Sequence, residues 1–262
     1  MPRIIAKKDT LDELNANFEH QALQNPVFIN SVPKCGTHLV RNIFRMFVAH
    51  SQHYNQVFIQ IPVLEQHRFA FDPSQPKLSW GHLLFADDSA IYLKQTKHIL
   101  LVRDPYDWIL ARARFFLSDN FQGNIDHLKN GNAAIDEILN MMIFGIYQKV
   151  PNMQEIFESN CLAWMGTKTK IVRYEDVIGN LKNLNSKKAE SYFEDLFGHC
   201  GIELPSDWRK RIRVGSDRKQ SGTARENLSI APGQIIPDTL PDMQKKLVDI
   251  AIPGVREILG YA

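Results

Sequence analysis

Residues 27–49 read VFINSVPKCGTHLVRNIFRMFVA. The first six, VFINSV, are β-type and stop at Pro33, whereas residues 39–49 carry apolar side chains at helical spacing. The piece between them, PKCGTH (33–38), is therefore a strand-to-helix turn. Free N–H groups at a helix start point outward and the helix dipole favours an anion there, so such a turn suits phosphate. Gly36 permits close backbone approach, Thr37 adds a hydroxyl and Lys34 a point charge. The lysine precedes the glycine and GxxxxGK[ST] is absent, as is GxGxxG. On these residues alone, a plain helix-starting corner fits equally well.

Working outward, a second apolar strand is expected at 98–102 (HILLV), followed by Arg103, Asp104 and Pro105. Asp104 suits an N-cap and Pro105 the first helical position, so a helix should run on to Leu117. A third strand, 170–174 (KIVRY), precedes Glu175 and Asp176, which are expected to cap another helix. Helical spacing also covers 9–24, 133–165 and the tail from Pro241. Strands alternating with helices predict an α/β fold, a central mainly parallel sheet flanked by helices. Ligands bind at the carboxyl ends of such strands, so Pro33, Arg103 and Tyr174 should face one crevice. No repeat or Gly/Ser linker interrupts residues 1–262, which predicts a single domain.

Composition excludes several classes. The net charge is +2 over 262 residues, with no global bias toward nucleic acid. Cys35, Cys161 and Cys200 form no CxxC pair and no zinc-type array, which suits a reduced compartment and no metal. The first twenty residues lack a signal-peptide core, and no stretch approaches the ~18 apolar residues that span a bilayer. A cytoplasmic location is expected.

SVPKCGTH resembles the 5′-phosphosulfate loop of the sulfotransferases that use 3′-phosphoadenosine 5′-phosphosulfate (PAPS), whose usual form is PKSGTTW. Pro33, Lys34, Gly36 and Thr37 match; Cys35, His38 and Leu39 replace serine, threonine and tryptophan. HILLVRDPYDWILARARFF is similar to that family's 3′-phosphate element, with Arg103 as its arginine and Ala111 where the family has serine. KLSWGHLLF resembles the segment with the catalytic histidine, here His82, with Trp80 where a lysine often stands. KIVRYEDVIGN looks like the Tyr-Glu-Asp segment that brings Tyr174 beside adenine, and Arg218–Lys219 fit loosely a basic loop over the 3′-phosphate.

The resemblance implies the P-loop-like sulfotransferase architecture in a compact, prokaryotic-type member. It implies PAPS as donor, 3′,5′-adenosine bisphosphate (PAP) as product, and a small hydroxyl- or amine-bearing acceptor. His82 would be the general base, and Lys34 would stabilise the leaving phosphate. Pro33, Cys35, Gly36, Thr37, His38, Arg103, Tyr174, Arg218 and Lys219 would hold the donor. A kinase-like phosphotransferase, a PAP binder without turnover, and a nucleic-acid binder using the basic run 209–213 are the competing readings.

Overall fold

The computed structural model describes residues 3–5, 8–222, 224–231 and 235–261. Among these the strands are β1 (Arg3–Ile4), β2 (Val27–Ser31), β3 (Leu78–Gly81), β4 (Lys97–Val102), β5 (Phe121–Gln122) and β6 (Lys170–Arg173). The α-helices are α1 (Leu11–Asn15), α2 (Thr37–Arg45), α3 (Asp87–Tyr92), α4 (Pro105–Leu117), α5 (Ile135–Phe144) and α6 (Met153–Asn160). They continue with α7 (Tyr174–Lys182), α8 (Lys187–His199), α9 (Trp208–Gly215), α10 (Asp242–Ala251) and α11 (Val255–Ile258).

Two compact units share the chain, each assembled from separate segments. The unit made of Asp9–Val102 and Ser159–Ser221 holds a four-stranded parallel sheet in the order β3-β2-β4-β6. All five residues of β2 are buried, as a central strand covered on both faces requires. The register pairs Ser31 with Leu101 and Val102 with Arg173, so all four carboxyl ends lie along one edge. The other unit comprises the described residues of Met1–Lys8, Arg103–Glu158 and Gly222–Ala262. In it α4 packs on α5 and α10, β1 pairs antiparallel with β5, and Phe115, Phe121, Ile125 and Val150 form a small core.

The expected α/β fold with a parallel sheet is present, with local differences. Instead of a helix over 9–24, α1 ends at Asn15, whose buried amide donates to the carbonyls of Arg45 (2.6 Å) and Val48 (2.9 Å). The helical pattern at 133–165 is broken into α5 and α6 from Gly145, at φ 80°. The fourth strand, β3, was not among those expected, because Leu-Ser-Trp-Gly has no apolar run. Its Gly81 is required by packing, since a Cβ there would lie 2.0 Å from the Ile59 carbonyl oxygen. Glu175 and Asp176 lie inside the first turn of α7 rather than at its cap. Asp176 accepts from Arg173 Nε (2.8 Å) and Nη2 (3.1 Å) instead.

The basic run 209–213 is largely spent on packing. Arg211 is buried on Asp207 and the Met46 carbonyl, Arg209 pairs with Glu190, and Arg213 donates to Asn185. All three cysteines are buried and none forms a disulfide. No helix among the described residues is long and apolar enough to cross a membrane.

Candidate active site

The turn after β2 is built from two left-handed residues, Lys34 at φ 70° and Gly36 at φ 96°. A lysine in that region is strained, a state that persists where the surroundings enforce it. Gly36 is the N-cap of α2 and has no room for a side chain, because a Cβ would stand 2.5 Å from Tyr174 Cδ2. The Tyr174 ring, at the first residue of α7, thus lies directly on the turn. Cys35 is fully buried and its N–H donates to the Val32 carbonyl (3.2 Å), so that amide is used inside the turn. The amides of Thr37, His38 and Leu39 open the helix and have no intrahelical acceptor.

His82 follows directly on β3, and its ring is tied to the last residue of β2. Nδ1 lies 2.8 Å from the Ser31 carbonyl oxygen and 2.9 Å from Ser31 Oγ. A carbonyl only accepts, so Nδ1 carries the proton and Nε2 presents its lone pair. Ser31 Oγ also lies 2.5 Å from Thr37 Oγ1, a contact in which either hydroxyl can donate. One buried serine therefore joins the histidine to the turn after β2.

The strand end carrying His82 is clamped. The His82 N–H donates to Ile59 (3.1 Å), and the Leu83 N–H donates to buried Asn30 Oδ1 (2.9 Å). The Leu83 carbonyl receives Asn30 Nδ2 (3.0 Å), Asn160 Nδ2 (3.0 Å) and Trp164 Nε1 (3.2 Å). Burial above all, then the positive charge of Lys34 and proximity to His38, push His82 down to about 3, against the upward pull of the Ser31 carbonyl. The imidazole is neutral at physiological pH.

An aromatic wall adjoins it. Phe58 meets His82 edge-on at 4.6 Å and Trp80 at 4.9 Å, and His38 meets Trp80 at 5.3 Å. The Arg41 guanidinium sits 4.2 Å over the Trp80 ring, a cation–π contact. Where a lysine was expected at position 80, a cation is thus supplied from α2, stacked on the tryptophan. Burial, then Arg41 and Lys34, lowers His38 to about 4, so this ring is also neutral.

Arg103 is the residue after β4, and Asp104 caps α4 as expected by accepting from the Tyr106 N–H (3.0 Å). Asp104 also takes both Nε (3.1 Å) and Nη2 (3.0 Å) of Arg256. The polar side chains that follow Ala111 in the sequence are engaged elsewhere. Arg112 is buried on the carbonyls of Met142 (2.7 Å) and Pro151 (2.6 Å), and burial lowers it to about 9. Arg114 donates to the Pro237 carbonyl, and Ser118 to the carbonyl of Phe115 in its own helix.

Arg218 and Lys219 are exposed in a 3-10 turn capped by Asp217, which accepts from the Lys219 N–H (2.9 Å). Gln220 anchors that turn. Its side chain exchanges two hydrogen bonds with Thr10 (3.0 and 3.1 Å), and its carbonyl accepts from Asn42 of α2 (3.3 Å). His98, at the start of the strand expected at 98–102, is a core residue between Phe28 and Trp164, bonded to Thr169 Oγ1 (2.8 Å). Two surface depressions, one by Tyr54 and Lys77 and one by Leu23 and Arg211, include neither Lys34 nor His82.

Ser31, Asn30, Arg41 and Phe58 were missed by sequence reasoning. The available signal was the polar pair Asn30-Ser31 at the end of an otherwise apolar, buried strand.

No protein-family model matches the chain, and no curated protein matches it by sequence. Among solved structures it resembles mouse sulfotransferase SULT7A1 complexed with PAP, with a TM-score of 0.58 and 14% identity, over 94% of this chain and 89% of that one. The fold is a sulfotransferase fold. Within the sulfotransferase fold the turn after β2, the histidine after β3 and the arginine after β4 all follow parallel strands at their carboxyl ends.

Proposed function

We propose that this chain transfers a sulfuryl group from PAPS to a hydroxyl or amine of a small-molecule acceptor. The observation that carries the reading is the chain of contacts His82–Ser31–Thr37, which places a histidine with a bare Nε2 beside a turn shaped for an anion. The likeness to a PAP-bound sulfotransferase supports it, as does the retention of Lys34 together with His82.

PAPS, when bound, supplies the sulfuryl group and leaves as PAP, whose 5′-phosphate oxygen takes the electrons of the broken S–O bond. His82 Nε2 accepts the acceptor's proton while the acceptor atom attacks sulfur. Lys34, the Thr37 hydroxyl and the amides of Thr37 to Leu39 stabilise charge growing on the leaving oxygen; preorganised donors are typically the largest catalytic contribution. Negative charge held in the turn also offsets the Lys34 charge that depresses His82, so the base gains proton affinity when the donor is present. Pro33 fixes the chain direction into the turn, and Cys35 shapes it as a buried spacer. His38 backs the turn as a neutral donor, and Tyr174 covers Gly36 beside the adenine. Arg103, with Arg218 and Lys219, takes the 3′-phosphate. Phe58 and Trp80 give the acceptor an aromatic face. In this reading the single domain is cytoplasmic and needs neither metal nor nucleic acid.

Thermal unfolding with PAP, with ATP as control and Lys34→Ala in parallel, tests donor binding. A native-state ligand at a hundredfold excess over its Kd adds about 2.7 kcal/mol. The expected result is a rise in Tm with PAP that shrinks in Lys34→Ala; no rise at saturating PAP would overturn the reading. A PAP binder without turnover is the second reading, favoured by the missing serine at Ala111 and the engagement of Arg112, Arg114 and Ser118 elsewhere. It predicts a PAP shift without sulfated product under any acceptor panel.

A further inference from the structure

Beyond α2, at the end opposite the turn, Asp12, His50 and His53 converge. Each offers one ligand atom, and all three atoms lie within 4.8 Å of one another. His50 Nδ1 is 3.2 Å and His53 Nδ1 3.9 Å from Asp12 Oδ1. Ligand atoms on a tetrahedral zinc ion with bonds of about 2.0–2.1 Å stand roughly 3.3 Å apart, so these spacings need little closing.

His53 is the informative member. Its side chain is 1% exposed, and its Nδ1 is buried with no hydrogen-bond partner. Its other nitrogen, Nε2, donates to the Val48 carbonyl (2.9 Å), which fixes the tautomer and leaves Nδ1 as a lone pair aimed at the carboxylate. Only the His53 side of this gap is buried; Asp12 is half-exposed, and its Oδ1 also holds Arg45, so a cation entering from solvent would meet the unpartnered His53 Nδ1. Metal-binding histidines are commonly oriented in this way, with the second N–H on a backbone carbonyl. Arg45 binds Asp12 through Oδ1 (2.6 Å) and is shared with Asp9, so the Asp9–Asp12–Arg45 group keeps one net negative charge. None of these contacts uses Asp12 Oδ2. The carbonyl end of α2 adds a negative dipole.

We propose that Asp12, His50 and His53 bind a zinc-class divalent transition metal, with water completing the tetrahedron. The ion joins α1 to the segment after α2 and so braces the far end of the helix that starts at the anion turn. This site is independent of the transferase reading.

The test uses the full chain after chelator treatment. One equivalent of Co2+ should give the visible absorption of tetrahedral cobalt, and Zn2+ at a hundredfold excess over its Kd should raise Tm by roughly 5 °C or more. His50 is exposed, so His50→Gln should fold normally and lose both signals, while His82→Ala should keep both. Absence of the band and the shift in the parent chain overturns the proposal. So does equal binding by His50→Gln, or loss of binding in His82→Ala instead.

Discussion

Around the end of β2 the side chains of Ser31, Thr37 and His82 are linked to one another, whereas the polar side chains in the last turns of α4, after β4, end on backbone carbonyls. Ser31, Thr37 and His82 form one chain of side-chain contacts from the strand end to the turn. Arg112, Arg114 and Ser118 each end on a carbonyl of their own unit. Similar residue types therefore do opposite jobs: one set is organised toward an open turn, the other stabilises a helix. Charge density in a sequence does not separate the two; the chain of partners does.

The largest expected effect breaks the first half of that comparison. His82→Ala should lower turnover by about 10²–10⁴-fold and leave the PAP-induced rise in Tm almost unchanged, read by single-turnover kinetics and thermal unfolding. Next comes the second half. Arg112→Met leaves the Met142 and Pro151 carbonyls without their buried donor and should cost roughly 3 kcal/mol of stability, measured by denaturant unfolding, with the Kd for PAP unchanged in the folded protein. A changed Kd would mean that Arg112 serves the ligand after all.

Acid should separate the histidines by burial. His98 is 4% exposed and held down to about 3 by burial first and by nearby His199 second. The unfolded chain binds a proton at this residue below pH 6.5 and the folded one does not. Its contribution to stability is therefore complete above pH 6.5 and falls by about 1.4 kcal/mol per unit as pH drops toward 3. Unfolding midpoints at pH 7.5 and 5 should differ accordingly, and His98→Phe should reduce the difference.

Ser31→Ala keeps the carbonyl that fixes the His82 tautomer but removes the link to Thr37. It should lower kcat by about tenfold, or about 1.4 kcal/mol, with KM for the donor raised less. Equal loss in Ala and Thr variants would mean that packing, and not the hydroxyl, is what matters at this position. Smallest is Ala111→Ser, which restores a hydroxyl to α4 and should tighten PAP binding a few-fold, about 0.5–1.5 kcal/mol, by calorimetric titration.

Much of the fold was legible because parallel strands buried on both faces must be mostly apolar, as 27–32 and 98–102 are. The turn was legible because Pro33, Gly36 and the helix that follows are local signals. β3 was not, since Ser79 and Gly81 owe their place to neighbours distant in sequence, the Val27 and Ile59 carbonyls. The early end of α1 depends on carbonyls some thirty residues later, at Arg45 and Val48. Among candidate site residues, Lys34 and His82 stood out by context. Ser31 did not, because a serine closing a strand is ordinary until its partners are known.

At Gly215 a Cβ would stand 2.5 Å from Ile43 Cα and 2.6 Å from the Asn42 carbonyl oxygen, so α9 and α2 meet backbone to backbone. The turn with Arg218 and Lys219 leaves α9 only a few residues later and returns to α2 through Asn42 and Gln220. Helix, counter-helix and basic turn are thereby tied into one cooperative unit. Their amides should exchange with solvent deuterium together, governed by a shared opening rather than by exposure. If the turn exchanges like the helix it leaves, its two cations hold one station in the free protein, set by Gln220 and Asp217.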